Sequence, residues 1–244
     1  MEERLSPVPE EKTTMSGFSK VINTYFEPRK VFESLKIKPT WLIPFIIVSV
    51  LGMASFWFTY PLIMKGVITN IQENERYTEE QKEMIIERIG EAEHPPVYQL
   101  AFAPAGTLVY LVFISAVLYF VFNVLLGGSS SFKRVLSVFS YSSLIAIPKA
   151  IVHIPLAFAR DTANVQTSLA ILLSPDAKDS FLYKVLGGFD IFTLWQVIVL
   201  SLGLAVMYNY TTKKSFTVVL ILWVLLIVVG AGVSSLFGGM FRLG

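Results

Sequence analysis

The chain contains no cysteine and only two histidines among its 244 residues. The first absence excludes disulfides, thiolate chemistry and cysteine metal sites. Charge is also scarce: 16% of residues are charged against 54% hydrophobic, and mean hydropathy is +0.61. Such a chain builds no separate aqueous core, and its net charge of +2 is too small to suggest nucleic acid as a partner. There is no metal-ligand cluster, phosphate loop, G-x-S-x-G elbow or intramembrane carboxylate pair. The chain therefore reads as a non-enzymatic protein with no cofactor. No internal repeat is strong enough for an inverted-repeat transporter, and five spans do not divide into equal halves.

Long apolar stretches are what the chain has in abundance. They run from Trp41 to Met64, Leu100 to Leu126, Val135 to Phe158, Phe189 to Tyr210 and Phe216 to Phe237, each near the roughly 20 residues that cross a bilayer core. The expected fold is an all-α membrane protein with five transmembrane helices, an amphipathic N-terminal cytoplasmic segment and one extracytoplasmic helical loop. Its organisation reads as a flexible tail over 1–17, an amphipathic interfacial segment over 18–40, a membrane domain over 41–237 that includes an outer acidic helical loop at 65–98, and a short tail over 238–244. The first apolar run is too long for the core of a cleavable signal and reads as a retained signal anchor.

Lys and Arg accumulate on the cytoplasmic side of short loops. Residues 29–40, 127–134 and 211–215 carry eight Lys and Arg in 25 residues, whereas 65–98, 160–188 and 238–244 carry eight in 70. This asymmetry places the N-terminus in the cytoplasm and, after five crossings, the C-terminus outside. On that orientation the sequon Asn209-Tyr210-Thr211 lies at the cytoplasmic end of the fourth span and is expected to stay unmodified.

Outside the spans two segments are patterned. Phe18, Val21, Ile22, Tyr25 and Phe26 recur at helical spacing on one face. Pro28 stops that helix and opens another, with Glu27 near the N-cap and Val31, Phe32 and Leu35 facing inward. Between Phe18 and Lys38 five basic residues outnumber two acidic ones, so Arg29, Lys30, Lys36 and Lys38 are candidates for binding anionic lipid headgroups or a partner. A helix pair packed under the bundle fits the same pattern. In the acidic connection, Thr78 and Gln81 have capping-box spacing and open a helix that continues through Ile89 to Gly90; its charges read best as a solvated face.

The third span differs from the others. Pro148 and Pro155 interrupt it, and Ser142, Ala146, Lys149 and His153 fall on one helical face. Pro148 has no N–H, so the Leu144 carbonyl is freed as an acceptor for a serine, water or ligand. Ser142, Lys149 and His153 form the candidate intramembrane polar site, suited to a proton or anion path or a histidine switch. Against this, Lys149 can snorkel and His153 can pack near the outer end of the span. The plain reading is favoured because no intramembrane carboxylate is placed to complete a relay. The span also admits a re-entrant reading. Asp190 reads as a helix cap, and Asn123, Gln196 and Asn209 read as bundle contacts. Gly230, Ser234 and Gly238 recur every four residues and suit helix packing or a homodimer.

Three passages carry a family resemblance. Tyr25-Phe26-Glu27-Pro28-Arg29-Lys30-Val31-Phe32 precedes the first span. Leu126-Gly127-Gly128-Ser129-Ser130-Ser131-Phe132-Lys133-Arg134-Val135-Leu136 turns between spans two and three, and a run with Tyr141 ends at Pro148. With Trp195 in span four and Lys213-Lys214 before the last helix, this order resembles the Yip-domain family, membrane proteins named for interaction with Ypt/Rab GTPases. The resemblance covers about Phe18 to Phe237. It implies five spans and a role as membrane scaffold or adaptor for lipid or other membrane proteins, of the membrane-trafficking kind in eukaryotic relatives. The eukaryotic N-terminal motif is not found before Phe18, and six residues separate Tyr141 from Pro148. Both departures speak against GTPase binding and for a prokaryotic member in the plasma membrane. The alternative to a scaffold is a small transporter, channel or lipid scramblase with a polar path at the broken third span.

Overall fold

The structure, a computed structural model, describes residues 15–90, 94–174, 177–178 and 180–237. The expected tails before residue 15 and from residue 238, and Gly238 with them, lie outside the described residues, as do Glu91 and Glu93 of the acidic loop. Two short helices, α1 (Gly17–Phe26) and α2 (Pro28–Ile37), precede the long α3 (Leu42–Gln72). After α4 (Glu79–Gly90), α5 (Val97–Tyr119) runs into a π-helical turn at Phe120–Leu125. The third crossing is composite: α6 (Phe132–Ser142), a 3-10 turn at Ser143–Ile145 and α7 (Ala146–Ala159). A 3-10 turn at Leu169–Leu172 and α8 (Phe181–Gly187) lead to α9 (Ile191–Tyr208) and α10 (Thr212–Phe237). Among the described residues there is no strand, only an isolated bridge between Ser168 and Asp190.

Five helical stretches are long and apolar enough to cross a membrane: Leu42–Gln72, Val97–Leu125, Phe132–Ala159, Ile191–Tyr208 and Thr212–Ser235. The protein is an all-α membrane protein with five crossing helices. The near face carries the end of α5, the end of α9 and the starts of α6 and α10; the far face carries the opposite ends.

The helix ends follow from local chemistry. Pro28 occupies the first turn of α2 behind Glu27, where its missing N–H costs nothing. Thr78 and Gln81 cap α4 reciprocally, Thr78 N–H donating to Gln81 Oε1 at 3.0 Å and Gln81 N–H to Thr78 Oγ1 at 3.3 Å. Asn209 ends α9 in the left-handed region at φ 54°, a conformation asparagine tolerates better than most residues.

The third crossing is the centre of the bundle. Of its most apolar window 61% is buried, against 11% for the first and last crossings, so lipid covers those while protein covers this one. It packs on α5 and α9 through α6 and on α3 through α7. Every residue from Val135 to Ile145 is buried. Three of the four serines in this run satisfy themselves locally: Ser137 donates to the Lys133 carbonyl at 2.7 Å, and Ser142 and Ser143 donate to that of Phe139 at 2.8 and 2.9 Å; Ser140 Oγ has no partner among the described residues. The break lies just ahead of Pro148, where the chain tightens to 3-10 geometry and restarts with the proline in the first turn of α7.

The near face is locked by a tight turn through two glycines. Gly127 has φ +65°, and a Cβ on Gly128 would stand 2.6 Å from the Phe122 carbonyl oxygen and 2.5 Å from the Tyr208 ring. Phe122, Tyr208 and Tyr210 stack beside it. Tyr208 donates to Asn123 Oδ1 at 2.5 Å, and Tyr210 donates to the Leu126 carbonyl at 3.0 Å.

Candidate functional site

The two N-terminal helices form a hairpin docked into the near half of the bundle. Val31, Phe32 and Leu35 of α2 are fully buried against α9 and α6. Gly203 of α9 makes room for this contact, since a Cβ there would meet Val138 at 2.4 Å and the Phe32 ring at 3.0 Å. The Tyr25 hydroxyl of α1 donates to the Leu144 carbonyl at 2.6 Å, the acceptor that Pro148 leaves free, and its ring stands edge-on to Trp195 at 6.1 Å. Leu144 lies 12 residues past the start of α6, roughly 18 Å along the helix axis at 1.5 Å per residue. The hairpin therefore reaches well below the near end of the third crossing. Removing the hydroxyl with Tyr25→Phe deletes this bond and is expected to cost about 1 kcal/mol. Thermal unfolding of the detergent-solubilised protein checks this, with Tyr98→Phe, at an exposed site, expected to change nothing.

The apolar stripe on α1 is divided. Val21 and Tyr25 pack against the core, while Phe18, Ile22 and Phe26 face outward at 75%, 42% and 78% exposure. Docking has turned the helix so that Lys20 and Thr24 are buried instead. Burial first, and the charge of Lys38 second, lower the Lys20 pKa from its usual value.

The four basic residues singled out from the sequence have different surroundings. Arg29 and Lys30 are exposed and pair with Glu33 at 3.3 Å and Glu27 at 2.9 Å; exposed pairs of this kind contribute about 0–1 kcal/mol. Lys38 is exposed at the end of α2. Lys36 donates to the Val206 carbonyl at 2.9 Å and to Asn209 Oδ1 at 2.6 Å, which puts its charge on the carboxyl end of α9, where the helix dipole favours a cation. Between α2 and the near half of α9 lies an open groove of about 1240 Å³, lined by Arg29, Lys30, Glu33 and Lys36 and by Leu202, Ala205 and Val206.

At the far face a second polar cavity, of about 410 Å³, brings Lys149 and His153 together with Thr167 and Asp190. Lys149 Nζ is 3.6 Å from Asp190 Oδ1, His153 Nε2 is 2.7 Å from Thr167 Oγ1, and Thr167 donates to Asp190 Oδ2. Asp190 also caps α9, accepting from the amides of Phe192 and Thr193 at 2.9 and 3.2 Å. From the sequence no intramembrane carboxylate is placed to complete a relay and Asp190 reads as a helix cap; the cap residue also stands beside Lys149 and His153. The signal was available in the sequence: the end of span three and the start of span four share one side of the membrane. Thr167, in the connecting loop, had no such signal. Ser142 does not join this group; it is buried in the bundle centre, bonded to Phe139.

Asn123, Gln196 and Asn209 make contacts between elements: Asn123 donates to the Ser130 carbonyl at 3.0 Å, Gln196 donates to Ser143 Oγ at 3.3 Å, and Asn209 accepts from Lys36. Gly230 and Ser234 lie on the exposed side of α10, with open space around Gly230. Among the described residues no cluster of His, Cys, Asp and Glu is placed to hold a metal ion.

Comparison with known proteins agrees with this architecture. The chain is 29% identical to the membrane protein YknW of Bacillus subtilis over 133 residues, which are 54% of each chain. It thus spans about half the length of that curated relative. No solved structure matches it. The Yip1 domain profile matches residues 22–233, from within α1 to near the end of α10, so most of the docked hairpin, the first four crossings and nearly all of the fifth fall inside it and the chain belongs to the Yip1 domain family.

Proposed function

We propose that this protein is a membrane scaffold or adaptor rather than an enzyme, and that its N-terminal hairpin gathers anionic lipid and membrane-protein partners at the cytoplasmic face. The observation that carries this reading is the outward side of the hairpin. It pairs an apolar flank, Phe18, Ile22 and Phe26, with a basic one, Arg29, Lys30 and Lys38, the combination that holds a helix at a charged lipid surface. The near face is assigned to the cytoplasm from its denser Lys and Arg, which puts the C-terminus outside and, in a prokaryotic member, the protein in the plasma membrane. A C-terminal reporter that is active only in the cytoplasm is expected to be silent; an active one would reverse the assignment for that end.

The second reading, transport, draws on the far-face cavity, where Lys149, His153 and Asp190 make a chain of ionisable groups of the kind that marks ion pathways. Vesicles of phosphatidylcholine and phosphatidylglycerol containing the purified full chain separate the two. On the scaffold reading, solute and proton flux equals that of protein-free vesicles, and enrichment of labelled phosphatidylglycerol around the protein falls when Arg29, Lys30 and Lys38 are changed to Gln. Flux that disappears with Lys149→Ala in a folded variant would establish transport instead.

A further inference from the structure

The position of the near-face groove sets it apart from an ordinary basic surface. Its apolar floor belongs to α9, which at 18 residues is the shortest crossing. Such a helix is about 27 Å long, close to the thickness of the hydrocarbon core, so little of it projects into water. Leu202 lies six residues before Tyr208, roughly 9 Å inside the near end of the helix. Arg29, Lys30 and Glu33 line the same groove. Ordinary lipid tails do not fill such a place, because charged groups at that depth are costly unless they meet water, a counter-charge or a polar ligand.

The groove is selective in sign. Three cations, Arg29, Lys30 and Lys36, face one carboxylate, Glu33. Lys36 is held on the end of α9, while among the described residues Arg29 and Lys30 are bound by exposed pairs to neighbouring carboxylates that a stronger acceptor can displace. A guanidinium and an ammonium on adjacent residues match a phosphate group. Leu202 and Val206 beside them match an acyl chain, and the groove is open to its surroundings. A polar head joined to an apolar tail fits all of these features.

Building on the scaffold reading for the choice of leaflet, we infer that this groove seats the headgroup of an anionic phospholipid below the plane of its own leaflet, with Arg29 and Lys30 on the phosphate and Leu202 and Val206 along a chain. The leaflet is thereby thinned beside α2. A lipid held there links the hairpin to α9 as well as to the bilayer. Partner recruitment by the outward flank of α1 is separate from this site and does not require it.

The test uses the full chain in neutral detergent, with phosphatidylglycerol as probe and native mass spectrometry counting retained lipid. One tightly held phosphatidylglycerol is expected, bound at least tenfold more strongly than phosphatidylcholine. The double variant Arg29→Gln with Lys30→Gln is expected to weaken it at least tenfold without changing thermal unfolding, since both side chains are exposed. Lys133→Gln, exposed on the same face but outside the groove, is expected to change it less than twofold. Glycerophosphoglycerol, the same headgroup without tails, is expected not to compete at millimolar concentration; full competition would identify a soluble phosphate site and overturn the lipid assignment. Equal losses from Lys133→Gln and from the double variant would show a diffuse basic surface, which overturns the groove and leaves the scaffold reading standing. No preference for the anionic lipid in any variant would overturn both. A nitroxide on Lys30→Cys, placed in this cysteine-free chain and reconstituted in phosphatidylglycerol vesicles, reports depth: contact with both water-soluble and membrane-soluble relaxants is expected. Contact with the water-soluble one alone would overturn the seat below the leaflet plane.

Discussion

Gly128→Val is expected to destabilise the protein more than any substitution on its exposed surfaces. The new Cβ would meet the Phe122 carbonyl oxygen at 2.6 Å and the Tyr208 ring at 2.5 Å. The carbonyl is backbone and already accepts the Gly128 amide at 2.9 Å, so the turn cannot yield without losing that bond. The ring carries the hydroxyl that holds Asn123, so moving it also breaks the tie between the π-helical turn and α9. Overpacking of this kind costs about 3 kcal/mol, and the lost hydrogen bond adds about 1 kcal/mol. Thermal unfolding in detergent should show it as a large drop in midpoint. The neighbouring glycine is a useful contrast. Gly127 has open space around it but a φ of +65°, so Gly127→Asn, which keeps access to the left-handed region, is expected to be mild while Gly127→Val is not.

Phe32→Ala is the second large effect, and its consequence is local. Phe32 is fully buried between α2 and the notch that Gly203 leaves in α9. Truncation opens a cavity at the centre of the hairpin contact and is expected to cost about 4 kcal/mol. The five crossings do not depend on this side chain for their own helical hydrogen bonds, so the circular-dichroism helix signal should remain near that of the parent. The hairpin should undock. Limited proteolysis from the near face, with cleavage appearing between residues 26 and 41, reports that directly. Phe18→Ala and Phe26→Ala, at exposed positions on α1, are expected to stay within about 0.5 kcal/mol of the parent.

These two sites also show how far local pattern carries. The five crossings, the Thr78 and Gln81 cap, Pro28 in the first turn of α2 and the freed Leu144 carbonyl all follow from short-range rules, because hydrophobic runs, caps and proline geometry act within a few residues. The partner of that carbonyl does not follow from them. It is Tyr25, 119 positions away, and its apolar character assigned it to a helix face rather than to a hydrogen bond. The same limit applies to α1. Periodicity identifies one stripe of five apolar residues, but whether Val21 or Ile22 meets the bundle depends on how the helix is rotated when Phe32 docks.

The charged groups divide in the same way. The bias of Lys and Arg toward one set of loops is a property of the sequence, as is the cost of carrying Lys149, His153 or Arg29 near apolar segments. Pairing is not. Lys149 meets Asp190 because α7 ends and α9 begins on one side of the bundle, and Lys36 reaches Asn209 because α2 lies along α9, a separation of 173 positions. The sequence by itself determined that this chain is a five-crossing α-helical membrane protein with an amphipathic, basic lead segment, since helix formation in apolar surroundings is settled by hydrogen bonds within each segment. Only the tertiary structure decided that the lead segment folds into the bundle beside the break in span three, because packing between distant segments chooses which side chains are buried, which charges are neutralised and which remain free for a ligand.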